Sequence, residues 1–214
     1  MIMRGLTAAL LRMLMLVELT GCASRVATPD QVFQSFMDRC GDNLFSRKFD
    51  QAVEACSQFL ESSRHDPKVN GVSPVGYLWR GIAYAGNRQY DRAIEDLSED
   101  VQLMGGHDTT SLTMRGDVYS LKGQYDLAIR DYDDAIKGHE YILSKSTSSP
   151  QLAMTRVELA WIYKQRSRIF RFQGKQAKAT VDFDKARQLN PSGILEPPIF
   201  RILDACPATG SRPC

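Results

Sequence analysis

Between Tyr77 and Lys137 the apolar positions follow one scheme twice. The first pass runs Tyr77-Leu78-Trp79-Arg80-Gly81-Ile82-Ala83-Tyr84, breaks at Gly86-Asn87, and resumes at Tyr90-Asp91-Arg92-Ala93-Ile94-Glu95-Asp96-Leu97. The second runs Leu112-Thr113-Met114-Arg115-Gly116-Asp117-Val118-Tyr119, breaks at Gly123-Gln124, and resumes at Tyr125-Asp126-Leu127-Ala128-Ile129-Arg130-Asp131-Tyr132. Gly81 and Gly116, Tyr84 and Tyr119, Tyr90 and Tyr125, and Ala93 and Ala128 each stand 35 positions apart. Within a pass the spacing is helical. Ala93 lies one turn before Leu97, and Ala128 one turn before Tyr132, which marks a core-facing stripe. The breaks predict a turn between two helices, with Asp91 and Asp126 in the first turn of the second helix, where a carboxylate suits the helix dipole. A small residue in the first helix lets the second approach closely. One such hairpin cannot bury its apolar face alone, so the pattern predicts a stack.

Two more copies fit the frame. Toward the C-terminus, Gly174, Ala179, Phe183, Ala186 and Pro191 take the places set by the earlier units. The first helix of that copy passes through Trp161, Tyr163, Ser167 and Phe170, with Ser167 where the glycine stood. Toward the N-terminus, Phe49-Asp50-Gln51-Ala52-Val53-Glu54-Ala55-Cys56 opens a second helix, with Phe36 and Cys40 in the first. A unit of about 34 residues with this pattern resembles the tetratricopeptide repeat. The resemblance implies an all-α solenoid of about four helix-turn-helix repeats, at 33–63, 74–107, 109–143 and 160–192, within a repeat domain spanning 31–196. It also implies a concave groove lined by the first helices.

The frame carries insertions. Pro67, Asn70-Gly71 and Pro74 predict a loop from Arg64 to Pro74, and Ser144 to Pro150 predict another. The second helix of the third repeat runs on through Tyr141 and Leu143, weakened by Gly138. A long helix follows from Gln151 to Phe172. After Pro191, the apolar piece Ile199 to Leu203 is expected to cap the last exposed face, within a Cys- and Pro-rich tail at 197–214.

Residues 1–21 read as an export signal. Arg4 and Arg12 supply positive charge, Met13 to Val17 an apolar run, and Leu19-Thr20-Gly21-Cys22 ends it. That tetrapeptide resembles the bacterial lipobox. The resemblance implies cleavage before Cys22, acylation of Cys22 and, with Ala23 next, an outer-membrane address. The run is far shorter than the roughly 20 residues of a membrane-spanning helix. Glu18 and Arg12 leave open an uncleaved tail on a cytosolic protein. Residues 22–30 form a tether whose Thr28-Pro29-Asp30 reads as a helix start, Thr28 capping and Pro29 leading.

In the repeat frame Cys40 and Cys56 face the close contact between the helices of the first unit. An oxidising compartment would permit a disulfide there, and Cys206 with Cys214 could close a small ring. Apart from Cys22, four cysteines allow three pairings, and free thiols are the fourth arrangement. No metal-ligand spacing, nucleophile elbow or phosphate-cradling loop is present in the sequence, so no metal, cofactor or enzyme activity is expected. His65, His107 and His139 are expected at the surface, as are Asp131, Asp133 and Asp134 on one helix. Trp79 and Trp161 are expected packed between helices.

A net charge of +2 gives no bulk pull toward nucleic acid or acidic membrane. The charge is nonetheless uneven: acidic from Arg88 to Asp134 and basic from Lys164 to Arg187. Lys164, Arg168 and Arg171 recur at one helical face and, in the repeat frame, line the groove. Leu78, Ile82, Thr113 and Asp117 are expected as the mixed surface opposite. Such a stripe suits an acidic segment or a C-terminal carboxylate of a partner. The chain therefore reads as a lipid-anchored adaptor binding protein partners in the bacterial envelope. It resembles lipoproteins that assemble peptidoglycan enzymes or envelope complexes. The alternatives are a pilus or secretion assembly lipoprotein, and a cytosolic chaperone-like factor without an anchor.

Overall fold

The computed structural model describes residues 29–64, 73–145, 150–193 and residue 199. Contacts divide the chain into Met1–Val32, described only from the start of its helix at Pro29, and Phe33–Cys214, which holds everything else below. The described residues form helices α1 (Pro29–Phe45), α2 (Phe49–Arg64), α3 (Pro74–Gly86), α4 (Tyr90–Leu103), α5 (Thr109–Leu121), α6 (Tyr125–Lys145), α7 (Pro150–Phe172) and α8 (Gln176–Leu189). Each successive pair is a hairpin, and each hairpin packs on the next. The expected capping residue Thr28 and the loop residues 65–72 and 146–149 lie outside the described residues.

The close approach within a hairpin is set by its smallest residue. A Cβ on Gly81 would stand 2.8 Å from Leu97 Cγ, and one on Gly116 would stand 2.7 Å from Tyr132 Cε1. Both distances are inside contact range, so only glycine admits those side chains. In the first hairpin the same two frame positions are Cys40 and Cys56. The structure joins them in a disulfide with their Cα atoms 4.8 Å apart. In the last hairpin Ser167 holds the glycine's place and donates its hydroxyl proton to the Ala179 carbonyl, 2.8 Å away.

A second clasp recurs one residue earlier. Arg80 and Asp96, Arg115 and Asp131, and Arg166 and Asp182 are each 16 residues apart and joined by two parallel hydrogen bonds of 2.7–2.8 Å. Two-pronged guanidinium–carboxylate pairing is among the strongest polar contacts a protein makes. Each arginine also reaches back to the preceding hairpin, to Ser57, Ser98 and Asp133 in turn. One side chain therefore ties three helices. In the first hairpin Arg39 has Ala55 at the matching position, and the disulfide stands beside it.

The clasp corrects two expectations. Asp131 is buried against Arg115, and Asp133 binds Arg166; only Asp134, paired with Lys137 at 2.8 Å, keeps an exposed position. His139 is also not at the surface. It is 2% exposed on the extension of α6, facing Glu158 of α7 at 4.0 Å. That extension buries it because α7 runs alongside. Gly138 lets the same stretch approach α5: a Cβ there would lie 2.5 Å from the Thr109 methyl. His107 is exposed and His65 lies outside the described residues.

Two apolar clusters fill the stack. One centres on Ile82, Leu97, Met114, Val118 and Trp161, and the other on Tyr132, Ile136, Leu159, Ile162 and Tyr163. Trp161 is buried, and Trp79 is half-buried against Cys40 and Cys56, as packing between helices requires. Of the expected capping piece only Ile199 is described. It packs against the first cluster, the one shared by α1 to α5 and Trp161.

Candidate partner-binding face

The basic stripe comes from α7, in which every residue from Val157 to Phe170 is buried or half-buried. Its apolar positions Leu159, Ile162, Tyr163 and Ile169 go inward. Lys164 and Arg168 are half-buried, and Arg171 is exposed. Lys164 Nζ lies 5.3 Å from the centre of the Trp161 ring, a cation over an aromatic face. Arg168 donates to Gln165 Oε1 at 2.9 Å. Arg166 points elsewhere, consumed by Asp133 and Asp182, so three of the four cations on this part of the helix share the stripe.

The surface opposite differs from the expectation. Leu78 is half-buried, but Ile82 and Thr113 have no exposure and Asp117 has 8%. Asp117 accepts a 2.5 Å hydrogen bond from the Tyr132 hydroxyl, within the third hairpin. Burial and the adjacent carboxylate together hold the Tyr132 phenol well above its ordinary pKa, so it stays a donor. Asp117 and Ile82 thus act in packing, and the open part of the face is the α7 side.

Beside the stripe, α7 and α8 enclose a cleft. Val157, Ala160 and Phe183 give it an apolar lining, with Lys164 and Arg187 among the same lining residues. Phe183 explains why the cleft exists. It stands at the frame position of Tyr132, which is 1% exposed, yet it is 42% exposed. A Cβ and an aromatic ring exclude each other at that contact, as the Gly116–Tyr132 spacing shows. With Ser167 in the glycine's place, the ring turns outward and becomes cleft wall. Neither Phe183 nor Arg187 stands out as a binding residue in the sequence; the Gly-to-Ser change at 167 is the signal that marks this hairpin as open.

Apolar walls with two cations suit a ligand that is apolar along its length and anionic at one end or flank. Among the described residues no set of three or more His, Cys, Asp or Glu side chains is placed to hold a metal ion. Among them, too, no helix is long and apolar enough to cross a membrane. Cys22, Cys206 and Cys214 lie outside the described residues.

Comparison with known proteins bears on the fold. A family model described as tetratricopeptide repeat matches residues 109–137, which cover α5 and the start of α6. A crystal structure of MamA aligns with a TM-score of 0.53 at 16% identity, covering 74% of this chain and 78% of that one. A second crystal structure of MamA protein gives 0.46 at 17% identity, covering 76% and 93%. No curated protein matches the chain in sequence.

Proposed function

Because the chain is a tetratricopeptide-repeat protein, we propose that it is an adaptor without catalytic activity, holding an acidic segment of a partner protein on the face built by α7. The observation that carries this reading is the conjunction of Lys164, Arg168 and Arg171 with the apolar cleft at Phe183. Charge there gives orientation and on-rate, and the cleft supplies affinity.

We place the adaptor in the bacterial envelope, anchored through acylated Cys22. The sequence Leu19-Thr20-Gly21-Cys22 supports the anchor. The Cys40–Cys56 disulfide supports export, since such bonds persist in oxidising compartments and are rare in the cytosol. Scaffolding of peptidoglycan enzymes or another envelope complex is the process that best suits a short four-hairpin stack of this kind.

The test is partner capture from solubilised envelopes by the full chain and by a Lys164→Glu, Arg168→Glu, Arg171→Glu variant. Loss of capture with unchanged helical content by circular dichroism is the expected result. Equal capture by both proteins rejects the stripe as the binding face.

A further inference from the structure

The first and last hairpins carry the two halves of a junction that the stack makes inside itself. Between the second and third hairpins, Arg115 of α5 reaches back to Ser98 of α4 at 3.1 Å. Beside it, Met114 and Val118 of α5 join Ile82 and Leu97 in one apolar cluster, with Leu78 packed against it. With Arg166 set on Arg80, the last hairpin has Lys164 at the place of Leu78, Arg168 at that of Ile82 and Asp184 at that of Ser98. With Arg39 set on Arg115, α1 has Asp38 at the place of Met114 and Asp42 at that of Val118. An apolar contact inside the stack is thus rewritten as acids on the first hairpin and bases on the last.

The clasp points the same way. Asp38, Arg39, Asp42 and Asp184 are all exposed, and Lys164 and Arg168 are half-buried. Lys164 and Arg168 also engage partners within the chain, and a cation with several donors accommodates a second carboxylate. Arg39 has no carboxylate in its own hairpin, where Ala55 holds that place. Its guanidinium lies 4.7 Å from the centre of the Phe36 ring, as that of Arg166 lies 5.4 Å from the Tyr163 ring. Asp184 stands in α8 where Asp133 stands in α6, and Asp133 receives the arginine of the next hairpin. Close approach is also provided for: Ser35 takes the place of Ser111, whose hydroxyl bonds Asp100 of the preceding hairpin. A terminal face need only be polar to keep a stack soluble. Opposite charges in matched register go beyond that need.

We propose that a second copy of this chain docks head to tail, its α1 seated over the cleft of α7 and α8, with Arg39 on Asp184 and with Asp38 and Asp42 facing Lys164 and Arg168. This rests on the reading of the α7 face as the site of an acidic segment, and it names that segment. Phe183, 42% exposed in the single chain, then lies under the incoming helix as Leu97 lies under α5. The contact is heterologous, because each copy offers a different end, so it adds further copies along the stack instead of closing as a dimer.

The experiment is sedimentation of the full chain in mild detergent, of its Arg39→Asp and Asp184→Arg variants, and of the two variants mixed in equal amounts. The expected result is concentration-dependent association of the unchanged chain, at least tenfold weaker in each single variant and regained in the mixture, where each altered end meets the opposite charge. A chain that stays monomeric at every concentration, single variants that associate as the unchanged chain does, or a mixture that regains nothing overturns the proposal. Should either variant lose helicity by circular dichroism, a photo-crosslinking benzoylphenylalanine at Gln34 in the otherwise unchanged chain decides. Crosslinks to α7 or α8 of another copy support the docking, and crosslinks elsewhere, or none, overturn it. If the chain is monomeric while the Lys164→Glu, Arg168→Glu, Arg171→Glu variant still loses envelope capture, the α7 face keeps its acidic partner and only the second copy is rejected. Regained association in the mixture with no envelope protein captured upholds the docking and rejects the external partner.

Discussion

At the scale of single residues, α4, α6 and α7 bring acid and base groups of opposing pH dependence into the field of Asp108. His139 is buried with neither ring nitrogen hydrogen-bonded. Loss of hydration lowers its pKa to about 4, against a smaller opposing pull from Asp108. The folded state then binds fewer protons than the unfolded chain between about pH 6.5 and 4, and stability falls as pH falls through that window. The shift corresponds to about 3 kcal/mol at most. Asp100 has the opposite sign. Burial pushes its carboxyl up to about 6, partly offset by the hydrogen bond from Ser111, with Asp108 adding to the rise. A raised carboxylate makes the folded state the better proton binder, so this contribution is present at low pH and is lost as pH rises through 6. Glu158, raised chiefly by burial, acts in the same direction as Asp100. The two slopes oppose in the unchanged protein. His139→Leu is expected to unmask the carboxylates, giving a chain whose denaturant midpoint rises as pH is lowered from 6.5 to 4.5. A variant whose midpoint still falls in step with the unchanged chain would show that His139 is not the titrating group. This cluster was not legible in the sequence: the run of α6 beyond its repeat was, but where α7 comes to rest beside it is not a local signal.

At the scale of elements, the sequence carried more. The Gly81 and Gly116 positions, the turns at 86–87 and 123–124, and the stripe through Ala93 and Ala128 located the hairpins because they are local, periodic signals. The arginine–aspartate clasp was present in the same frame, as Arg before the glycine position and Asp 16 residues on, but charges alone do not say that they pair. Its absence from the first hairpin gives the next prediction. Ala55 stands there at the position matched to Arg39, and cohesion between α1 and α2 passes to the Cys40–Cys56 disulfide. A bridge closing a loop of this length contributes about 3 kcal/mol by restricting the unfolded chain. In a stack each hairpin contacts only its neighbours, so the loss on reduction should stay local. Reduction, or Cys40→Ser with Cys56→Ser, is expected to raise amide exchange in α1 and α2 while α5 to α8 keep theirs. Uniform loosening along the chain would count against the disulfide as a local clasp. In the third hairpin the matching loss is Asp131→Ala, which strands the Arg115 guanidinium and is expected to cost about 3 kcal/mol in global unfolding.

At the scale of the whole molecule, the burial of the concave face is the part that repeat logic could not supply. The frame assigns Ile82 and Thr113 to an open groove, yet both are fully buried, Ile82 in a cluster with Leu97, Met114 and Val118. The proposed anchor at Cys22 belongs to this scale as well, because it joins location, redox state and partner choice in one covalent object. Acylation of several chains on Cys22 would make attachment stable, where a single chain would leave it reversible. Oxidation of Cys40 and Cys56 would follow export. Intact mass of the protein from its native membranes, before and after reduction, checks the first two together. The expected species begins at Cys22, carries acyl groups, and gains two hydrogens for each bridge when reduced. Replacement of Cys22 by Ser should then move the protein to the soluble fraction with the Cys40–Cys56 bond absent or formed according to whether export still occurs. A full-length, unacylated chain that gains no hydrogens on reduction would instead remove the envelope from the account and leave the stack and its basic stripe as the properties to explain.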